Sequence, residues 1–400
     1  MNDPMTHLTV QTKLPFLTLL LLISFASVNA VLFTPALPDI THFFHITEDT
    51  AQQTITWFLV GYALGQLLYG PIANRLGRKP ALLIGISLQI LSSLLCVFSG
   101  MIHAYWLLIV GRFLLALGAG VGLKMTFTLV NECYEPKMAS QKISYLMLAF
   151  AITPGLGVAL GGFLNTYWGW MSCFYASALY GLILFFLVTR LPETQTVLNL
   201  NALKLNHLLH DYGMQFKNSR LVMGGLLMGA STGFIYVFAA LAPFIAINLY
   251  GMGSDTYGIA NCIPPIGLIL GSLVSANLAK NYTFEWIIRV GIMITSAGVA
   301  WMLVAMWMNF NWLFSLFLPM TVIYFGLCFI LANASTIAMS EVTDKAHGAS
   351  VMSFINMGFA TLVVFSLSLF PMKILLLPLV YLVLSIAMLG MLKSLIMNKG

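Results

Sequence analysis

The chain has 400 residues, of which 60% are hydrophobic and 8% are charged, and its formal net charge is +6. A soluble domain carries about 25% charged residues, so this composition leaves too few polar side chains to cover a surface in water. It excludes a soluble protein and indicates one embedded in a lipid bilayer. Basic residues of a membrane protein need no nucleic acid to explain them, and we expect no nucleic-acid partner.

Apolar runs recur along the whole chain with only short polar breaks. A transmembrane helix needs about 18 to 25 apolar residues, and these runs lack the alternation of a barrel strand. We therefore predict an all-α membrane protein with twelve transmembrane helices. The predicted spans are 14–34, 52–73, 81–101, 105–130, 143–166, 171–190, 221–249, 257–279, 286–308, 312–340, 348–370 and 373–396.

The first run also has features of a secretory signal. Lys13 precedes it, and the residues Val28, Asn29 and Ala30 resemble a cleavage site. The apolar run nevertheless continues through Phe33, and eleven further runs follow it. We therefore expect an uncleaved first helix.

The longest polar interval, Leu191 to Arg220, divides the chain into six runs and six runs. We predict an N-terminal six-helix bundle at residues 1–190, a cytoplasmic connector at 191–219 and a C-terminal six-helix bundle at 220–400. The loop NRLGRK at 74–79 has a degenerate counterpart, NLAKNY at 277–282, at the equivalent place in the second half. Two related bundles with a site between them are typical of alternating-access transporters, and a channel or a non-transporting scaffold is the alternative.

The basic residues lie mostly on one side of the predicted membrane. If both termini face the cytoplasm, all but three of the 18 lysine and arginine residues lie on that side. The exceptions are Lys373 on the outer side and Arg112 and Lys124 within the fourth span. Because cytoplasmic loops are enriched in basic residues, we predict a multi-pass membrane protein with both termini in the cytoplasm.

Short motifs are spread over nearly the whole chain. They are PALPDI (35–40), QQTITWFLVGYALGQLLYGPIANRLGRKPALLIG (52–85), GRFLLALGAG (111–120), VNE (130–132), TPGLGVALGG (153–162), GWMSCF (169–174), LPET (191–194), APF (242–244), Asn333 and HGAS (347–350). Together they resemble the motifs of the major facilitator superfamily, and within it those of the drug:proton antiporters of the bicyclomycin-resistance type. The loop within 52–85 and the fifth-span motif are highly specific as a pair.

The resemblance implies the major facilitator fold, with two six-helix bundles, and a secondary active transporter rather than an enzyme. It implies export of a small organic compound, drug-like or amphipathic, by proton antiport and alternating access. Since the sequence has no nucleotide-binding motif, we expect no cofactor and a proton gradient as the energy source. The expected partners are a small-molecule substrate and the lipid bilayer, and we expect a monomer.

The loop after the second span combines glycines with three cations. Gly70 and Gly77 are predicted to free the backbone for a tight turn, and the cations suit an anionic inner leaflet. The resemblance implies a cytoplasmic latch between the bundles, in which Asn74 replaces a family aspartate. Asn74 accepts a hydrogen bond but offers no full charge to a helix dipole, so we expect a weaker or differently regulated latch. The predicted latch residues are Gly70, Asn74, Arg75, Gly77, Arg78 and Lys79.

The fifth span contains Pro154, Gly157, Gly161 and Gly162. A proline and glycines four apart predict a kinked helix with a small-residue face for close packing. Ordinary close packing alone also explains such a face. In the superfamily that the chain resembles, this motif accompanies antiporters, which favours export.

Two cations lie inside the fourth span. A cation within the membrane costs at least about 2.5 to 3.5 kcal/mol and is a candidate for function. The resemblance assigns Arg112 to proton coupling or substrate contact. Lys124 is not a family residue, and its position fits both a functional role and a side chain that reaches the inner surface.

A carboxylate expected for proton coupling is missing. Family members commonly carry an aspartate four residues before the PALP motif, where this chain has Val31, and no Asp or Glu lies in the middle of a predicted span. Asp39, near the outer end of the first span, is the nearest replacement. Either coupling has moved, or the protein carries an acidic substrate against Arg112 and Lys124. The alternative function is therefore a dedicated carrier of an anionic metabolite or carboxylate siderophore, for export or uptake.

The substrate cavity is predicted to have polar and aromatic walls, which suit apolar or amphipathic ligands. The predicted substrate and proton pathway comprises Arg112, Asn29, Phe33, Tyr62, Gln66, Tyr236, Asn333, Asp39 and Lys124. His42 and His45 precede Glu48 and Asp49 in the first outer loop, but such residues are usually only polar loop residues, and we predict no metal site.

Overall fold

The computed structural model describes residues 14–195, 198–199, 212–342, 345–370 and 373–397. In these residues, twelve helices are long and apolar enough to cross a membrane, and no strand is formed. We number them span 1 to span 12: Phe16–Phe44, Glu48–Leu76, Arg78–Met101, Tyr105–Cys133, Gln141–Trp168, Met171–Thr189, Ser219–Leu249, Ser254–Leu278, Phe284–Trp307, Leu313–Met339, His347–Leu367 and Leu376–Leu395. The predicted all-α class and the predicted number of spans are confirmed.

Part of the predicted connector, residues 196–197 and 200–211, lies outside the described residues, as do Lys13 and Lys399. The division into residues 1–190, 191–219 and 220–400 stays a prediction. Spans 1–6 are called the N-terminal half below, and spans 7–12 the C-terminal half.

Several spans are built from shorter helices. Span 4 consists of Tyr105–Ala119 and Val121–Cys133, and span 8 of Ser254–Ala260 and Pro264–Leu278. Spans 7 and 10 each contain a π-helical turn, at Phe244–Leu249 and Leu313–Phe317. Such turns interrupt the regular hydrogen-bond ladder and are frequent at functional sites.

Span 1 is interrupted near its middle. Its α-helix Phe16–Val31 is followed by a 3-10 turn, Thr34–Ala36, and a short helix, Leu37–Phe44. Pro35 has no N–H to donate to the carbonyl of Val31, and the Thr34 hydroxyl donates to that carbonyl instead, at 2.8 Å. The predicted first span ended at residue 34, so this continuation was missed.

The two halves pack alike. In the N-terminal half, span 1 packs against span 5, span 2 against span 4, and span 3 against spans 4 and 6. In the C-terminal half, span 7 packs against span 11, span 8 against span 10, and span 9 against spans 10 and 12. Each pairing in one half thus has its counterpart six spans later. Between the halves, span 2 packs against span 11 and span 5 against span 8.

The helical bundle has two ends, called the basic face and the acidic face below. The basic face is the end where span 2 joins span 3, at Gly77. The acidic face is the opposite end, where His45–Thr47 join span 1 to span 2 and where Glu48 begins span 2. Gly77 has a φ of +104°, which favours glycine, so its predicted role in a tight turn is confirmed.

The same prediction for Gly70 was wrong. The helix of span 2 runs without a break from Glu48 to Leu76, with Gly70 and Pro71 inside it. Gly70 therefore makes no turn, and its lack of a side chain serves a contact with Lys124 that is described below.

Candidate functional site

Arg112 of span 4 lies at the centre of the N-terminal half and is 1% exposed. Its Nη1 donates to the carbonyl of Asn29 at 2.8 Å, its Nη2 to that of Ala30 at 3.4 Å, and its Nε to that of Thr54 at 3.4 Å. No carboxylate among the described residues forms an ion pair with it. The guanidinium is thus held by main-chain carbonyls of spans 1 and 2.

The interruption of span 1 explains why these carbonyls are available. The α-helix ends at Val31, so Asn29 and Ala30 lie in its last turn, where carbonyls have no intrahelical donor. The last turn of a helix also carries a partial charge of roughly −0.5. The broken end of span 1 therefore supplies both the acceptors and the compensating charge for Arg112.

Two aromatic rings enclose the same guanidinium. Its central carbon lies 3.9 Å from the ring centroid of Phe33 and 4.4 Å from that of Phe58. Both distances are within the range of cation–π attraction, which strengthens when the pair is removed from water. Phe33 was a predicted pathway residue, whereas Phe58 was missed, because one phenylalanine among many in the spans carries no distinguishing signal.

Asn29 belongs to a buried polar network that joins spans 1, 3 and 6. Its Nδ2 donates to the carbonyl of Phe25 at 2.7 Å, and its Oδ1 accepts from Gln89 Nε2 at 2.9 Å and from the Ser177 hydroxyl. Gln89 Nε2 also donates a hydrogen bond to Ser93 Oγ at 3.0 Å. Asn29 thus positions the end of span 1 against Arg112. Gln89 was missed, although a glutamine in the middle of an apolar run is a usable signal.

Tyrosines from both halves lie in the neighbourhood of Arg112. Tyr62 and Gln66 lie one turn apart on span 2, where their side chains interact, and each is 5% exposed. Tyr236 of span 7 is near enough to interact electrostatically with both Arg112 and Tyr62, and Tyr324 of span 10 with Tyr236. The central cluster is formed by spans 1, 2, 4, 7 and 10. It brings together six of the nine predicted pathway residues: Arg112, Asn29, Phe33, Tyr62, Gln66 and Tyr236.

Asn333, predicted for the same pathway, has partners elsewhere. Its Nδ2 donates to Ser275 Oγ at 3.1 Å and to the carbonyl of Phe329 at 2.7 Å. Ser275 belongs to span 8, so Asn333 ties spans 8 and 10 together within the C-terminal half.

Asp39 lies at the acidic face, where its side chain is exposed. It accepts a hydrogen bond of 2.5 Å from Asn165 Nδ2 of span 5. The same Asn165 Nδ2 donates to Ser254 Oγ of span 8 at 3.2 Å. The Ser254 hydroxyl in turn donates to the carbonyl of Pro35 in span 1 at 3.3 Å. Asp39 therefore stands beside a contact between the halves, away from Arg112. Asn165 and Ser254 were not predicted.

A second polar contact joins the halves at the acidic face. Asn248 Nδ2 of span 7 donates to Glu48 Oε1 of span 2 at 2.6 Å.

Among the described residues, no group of three or more His, Cys, Asp or Glu side chains is placed to hold a metal ion.

The glycines of the fifth-span motif lie where span 5 meets both span 1 and span 8. A Cβ at Gly161 would collide with the carbonyl oxygen of Leu32, and one at Gly157 would lie 3.1 Å from Val31 Cγ2. A Cβ at Gly162 would collide with the carbonyl oxygen of Ser254 in the other half. The helix continues through Pro154. The motif thus permits close packing of one helix against two others, one in each half.

The predicted latch residues bind mainly within the N-terminal half and the segment after it. Arg78 forms an ion pair of 2.8 Å with Glu132 and donates to Asn74 Oδ1 at 2.9 Å. The carboxylate of Glu193 accepts from the backbone N–H groups of Arg78 and Lys79, at 2.8 and 3.0 Å. Asn74 Oδ1 therefore faces Arg78 rather than the start of span 11. Arg75 is exposed.

Lys124 makes a contact between the halves at the basic face. Its Nζ donates to Ser350 Oγ of span 11 at 2.5 Å. A Cβ at Gly70 would lie 2.6 Å from the same Nζ. The Tyr212 hydroxyl also donates to the carbonyl of Leu67 in span 2, at 3.0 Å. The halves thus contact each other at both faces, with the central cluster between.

Comparison with known proteins agrees with this architecture. The family model described as Major Facilitator Superfamily matches residues 19–367. Multidrug resistance protein D of Escherichia coli (strain K12) is 26% identical over 350 residues, which is 86% of each chain. The chloramphenicol resistance protein CraA of Acinetobacter baumannii is 26% identical over 367 residues, 91% of this chain and 88% of CraA.

A bicyclomycin resistance protein homolog of Haemophilus influenzae is 23% identical over 278 residues, 68% of each chain. Among solved structures, a D-xylose–proton symporter superposes with a TM-score of 0.73 at 15% identity, covering 94% of this chain and 96% of the symporter. At that identity the likeness concerns the fold alone.

Proposed function

The chain belongs to the major facilitator superfamily, and we propose that it exports a small organic compound, drug-like or amphipathic, by proton antiport and alternating access. It is a transporter and not an enzyme. Relatives of similar length are named for resistance to multiple drugs and to chloramphenicol, which supports export of such compounds.

The observation that carries the proposal is the position of the central cluster between two sets of contacts that join the halves, one toward each face. Arg112, Tyr62 and Tyr236 lie between contacts at the acidic face and contacts at the basic face. In alternating access, one set of contacts opens while the other stays closed, and a central site faces each side in turn. A permanently open channel would not need contacts between the halves on both sides of its central site.

Asp39 is the proposed proton-accepting group. It is exposed at the acidic face, and its partner Asn165 also contacts Ser254 across the halves. Proton uptake would neutralise the carboxylate and weaken the charge-assisted hydrogen bond from Asn165. Loading of the proton would thereby loosen the hydrogen bond that holds Asn165 where it meets Ser254 of the other half. This would replace the coupling that Val31 cannot provide.

The basic face is proposed to be cytoplasmic, following the distribution of lysine and arginine. The protein would then lie in the bacterial inner membrane with both termini inside. We propose that it works as a monomer, without a bound cofactor, and draws on the proton gradient.

Everted membrane vesicles test the proposal. Respiration acidifies their lumen, and an antiporter releases luminal protons when its substrate is added. We expect chloramphenicol, a neutral amphipathic probe, to raise luminal pH in vesicles containing the protein, and the Arg112→Met variant to give no such rise. A lipophilic cation such as tetraphenylphosphonium serves as the second probe. No proton release with either probe overturns the proposal of drug export by proton antiport.

One observation favours a second candidate, a carrier of an anionic metabolite. Arg112 and Lys124 lie deep in span 4, whereas the other charged residues in the twelve spans lie within about one and a half turns of a span end. The buried Arg112, the half-buried Lys124 and the lack of a deep carboxylate in the described spans suit an anion better than a cation. Proton movement with citrate, and none with the two drug-like probes, would establish this candidate instead.

A further inference from the structure

We propose that the hydrogen bond between Lys124 and Ser350 is the gate of the basic face, and that it performs in this chain the role that the family resemblance assigned to the loop residue at position 74. The proposal concerns how the halves are held together and applies to any substrate, so it goes beyond the proposed function.

The first argument is the position of the two groups. Lys124 lies in span 4 of the N-terminal half and Ser350 in span 11 of the C-terminal half, and their side chains meet at 2.5 Å. The basic face cannot open between these spans without breaking this bond. Because its donor is a cation, the bond is stronger than the neutral contact from Tyr212 to the carbonyl of Leu67 at the same face.

Gly70 provides the second argument. It lies inside an uninterrupted helix, where glycine is unfavourable by about 1 kcal/mol relative to alanine. An added Cβ would lie 2.6 Å from Lys124 Nζ and 3.4 Å from Cε. Glycine at this position therefore leaves room for the ammonium group that reaches Ser350. The tight turn predicted for Gly70 is absent, and this contact accounts for the residue instead.

The third argument is that Asn74, Arg78 and Lys79 of the loop already have hydrogen-bond partners outside the C-terminal half. Arg78 is paired with Glu132 and with Asn74 Oδ1, and Lys79 Nζ donates to the carbonyl of Thr189 at 2.6 Å. All these partners belong to the N-terminal half. With asparagine in place of aspartate at position 74, the loop presents no carboxylate to span 11. Among the residues that the structure describes at this face, Lys124 is the charged side chain that hydrogen-bonds across the halves.

The experiment measures the separation of the halves at the basic face directly. Spin labels are placed at Leu76 and Asn281, which are exposed at that face on opposite halves, after the five native cysteines are replaced by alanine. In the parent protein we expect mainly a short inter-label distance. Lys124→Met, which keeps an unbranched side chain but removes the ammonium group, should raise the longer-distance population by about ten-fold or more, as expected for loss of a hydrogen bond to a charged group.

Two further variants identify the pair. Ser350→Ala should raise the same population. The double variant should give no larger change than the single variant with the stronger effect, because both substitutions remove the same hydrogen bond. Gly70→Ala should act in the same direction while both hydrogen-bonding groups remain present. The matched controls are Ser335→Ala, whose hydroxyl bonds to Ala332 of its own helix, and Gly358→Ala, where nothing lies within 4 Å of an added Cβ.

Unchanged distances in Lys124→Met and Ser350→Ala, or additive effects in the double variant, overturn the proposal. The measurement uses neither a substrate nor a proton gradient. A negative result would therefore overturn the proposed gate without contradicting the proposed export function. Conversely, failure to observe export would not contradict the proposed gate.

Discussion

Arg112 in span 4 holds the broken end of span 1 through the carbonyl of Asn29, which lies 2.8 Å from Nη1. The cation needs no carboxylate, because the last turn of a helix provides acceptors and partial negative charge. A movement of span 1 is thereby tied to the central cluster, where Tyr236 of the other half is near enough to interact with the same guanidinium.

Substitutions at Arg112 should separate charge from geometry. Lysine keeps the charge, but its three N–H donors radiate from one nitrogen and cannot reproduce the planar fork with which Arg112 reaches carbonyls on two spans. We therefore expect Arg112→Lys and Arg112→Met both to lower the transport rate by more than about ten-fold, the effect of losing roughly 1.4 kcal/mol. Membrane insertion should stay within about two-fold of the parent, because hydrophobic spans determine it. Uptake assays with quantified membrane protein measure both. Full transport by Arg112→Met would remove the residue from the pathway.

Asp39→Asn should uncouple transport from the proton gradient. The substitution keeps a hydrogen-bonding group beside Asn165 but removes the carboxylate that we propose accepts the proton. We expect substrate-induced proton release in everted vesicles to fall by about ten-fold or more, whereas downhill substrate movement continues. Asp255→Asn is the matched control, since this acidic-face carboxylate bonds to the adjacent Thr256. Equal loss in both variants would show a general effect of charge at this face.

Asn74→Asp restores the family carboxylate, yet it should change little. Its side-chain oxygen faces Arg78, which is already paired with Glu132, so the new charge strengthens a contact inside the N-terminal half. We expect transport rates and the Leu76–Asn281 distance distribution to stay within about two-fold of the parent, consistent with the small energy of exposed ion pairs. A marked shift toward the closed basic face would show that position 74 still acts between the halves.

Side chains added to the fifth-span motif should disturb closure of the acidic face. A methyl group at Gly162 would collide with the carbonyl of Ser254 in span 8, and overpacking of this kind costs about 1 to 3 kcal/mol. We therefore expect Gly162→Ala to lower thermal stability and to increase labelling of cysteines placed near Ser254. Gly390→Ala, where nothing lies within 4 Å of an added Cβ, is the control and should match the parent in both measurements.

Side-chain chemistry explains which parts of the site were predictable. Arg112 was predicted because a cation inside an apolar run is expensive and conspicuous. Its partners were not, because the carbonyls of Asn29, Ala30 and Thr54 are groups that every residue carries. Only the interruption of span 1 leaves two of those carbonyls free to accept, and that depends on backbone geometry around Pro35.

Contacts between the halves were harder still to predict. Lys124 was noticed, but its partner Ser350 is 226 positions away along the chain, and no local pattern connects them. Gly70 was interpreted as a turn residue because glycine frees the backbone for a tight turn, whereas its missing side chain makes room for Lys124. The periodicity of apolar runs did predict the twelve spans, since their length and composition follow directly from bilayer thickness.

Transport by the purified protein in liposomes, under an imposed pH gradient, tests proton-coupled export most directly. With an acidic lumen, we predict that radiolabelled chloramphenicol accumulates inside, that its addition accelerates loss of luminal protons, and that collapse of the gradient or the Asp39→Asn substitution stops accumulation. Chloramphenicol uptake that is indifferent to the gradient, or proton flux that responds only to citrate, would contradict proton-coupled export of a drug-like compound.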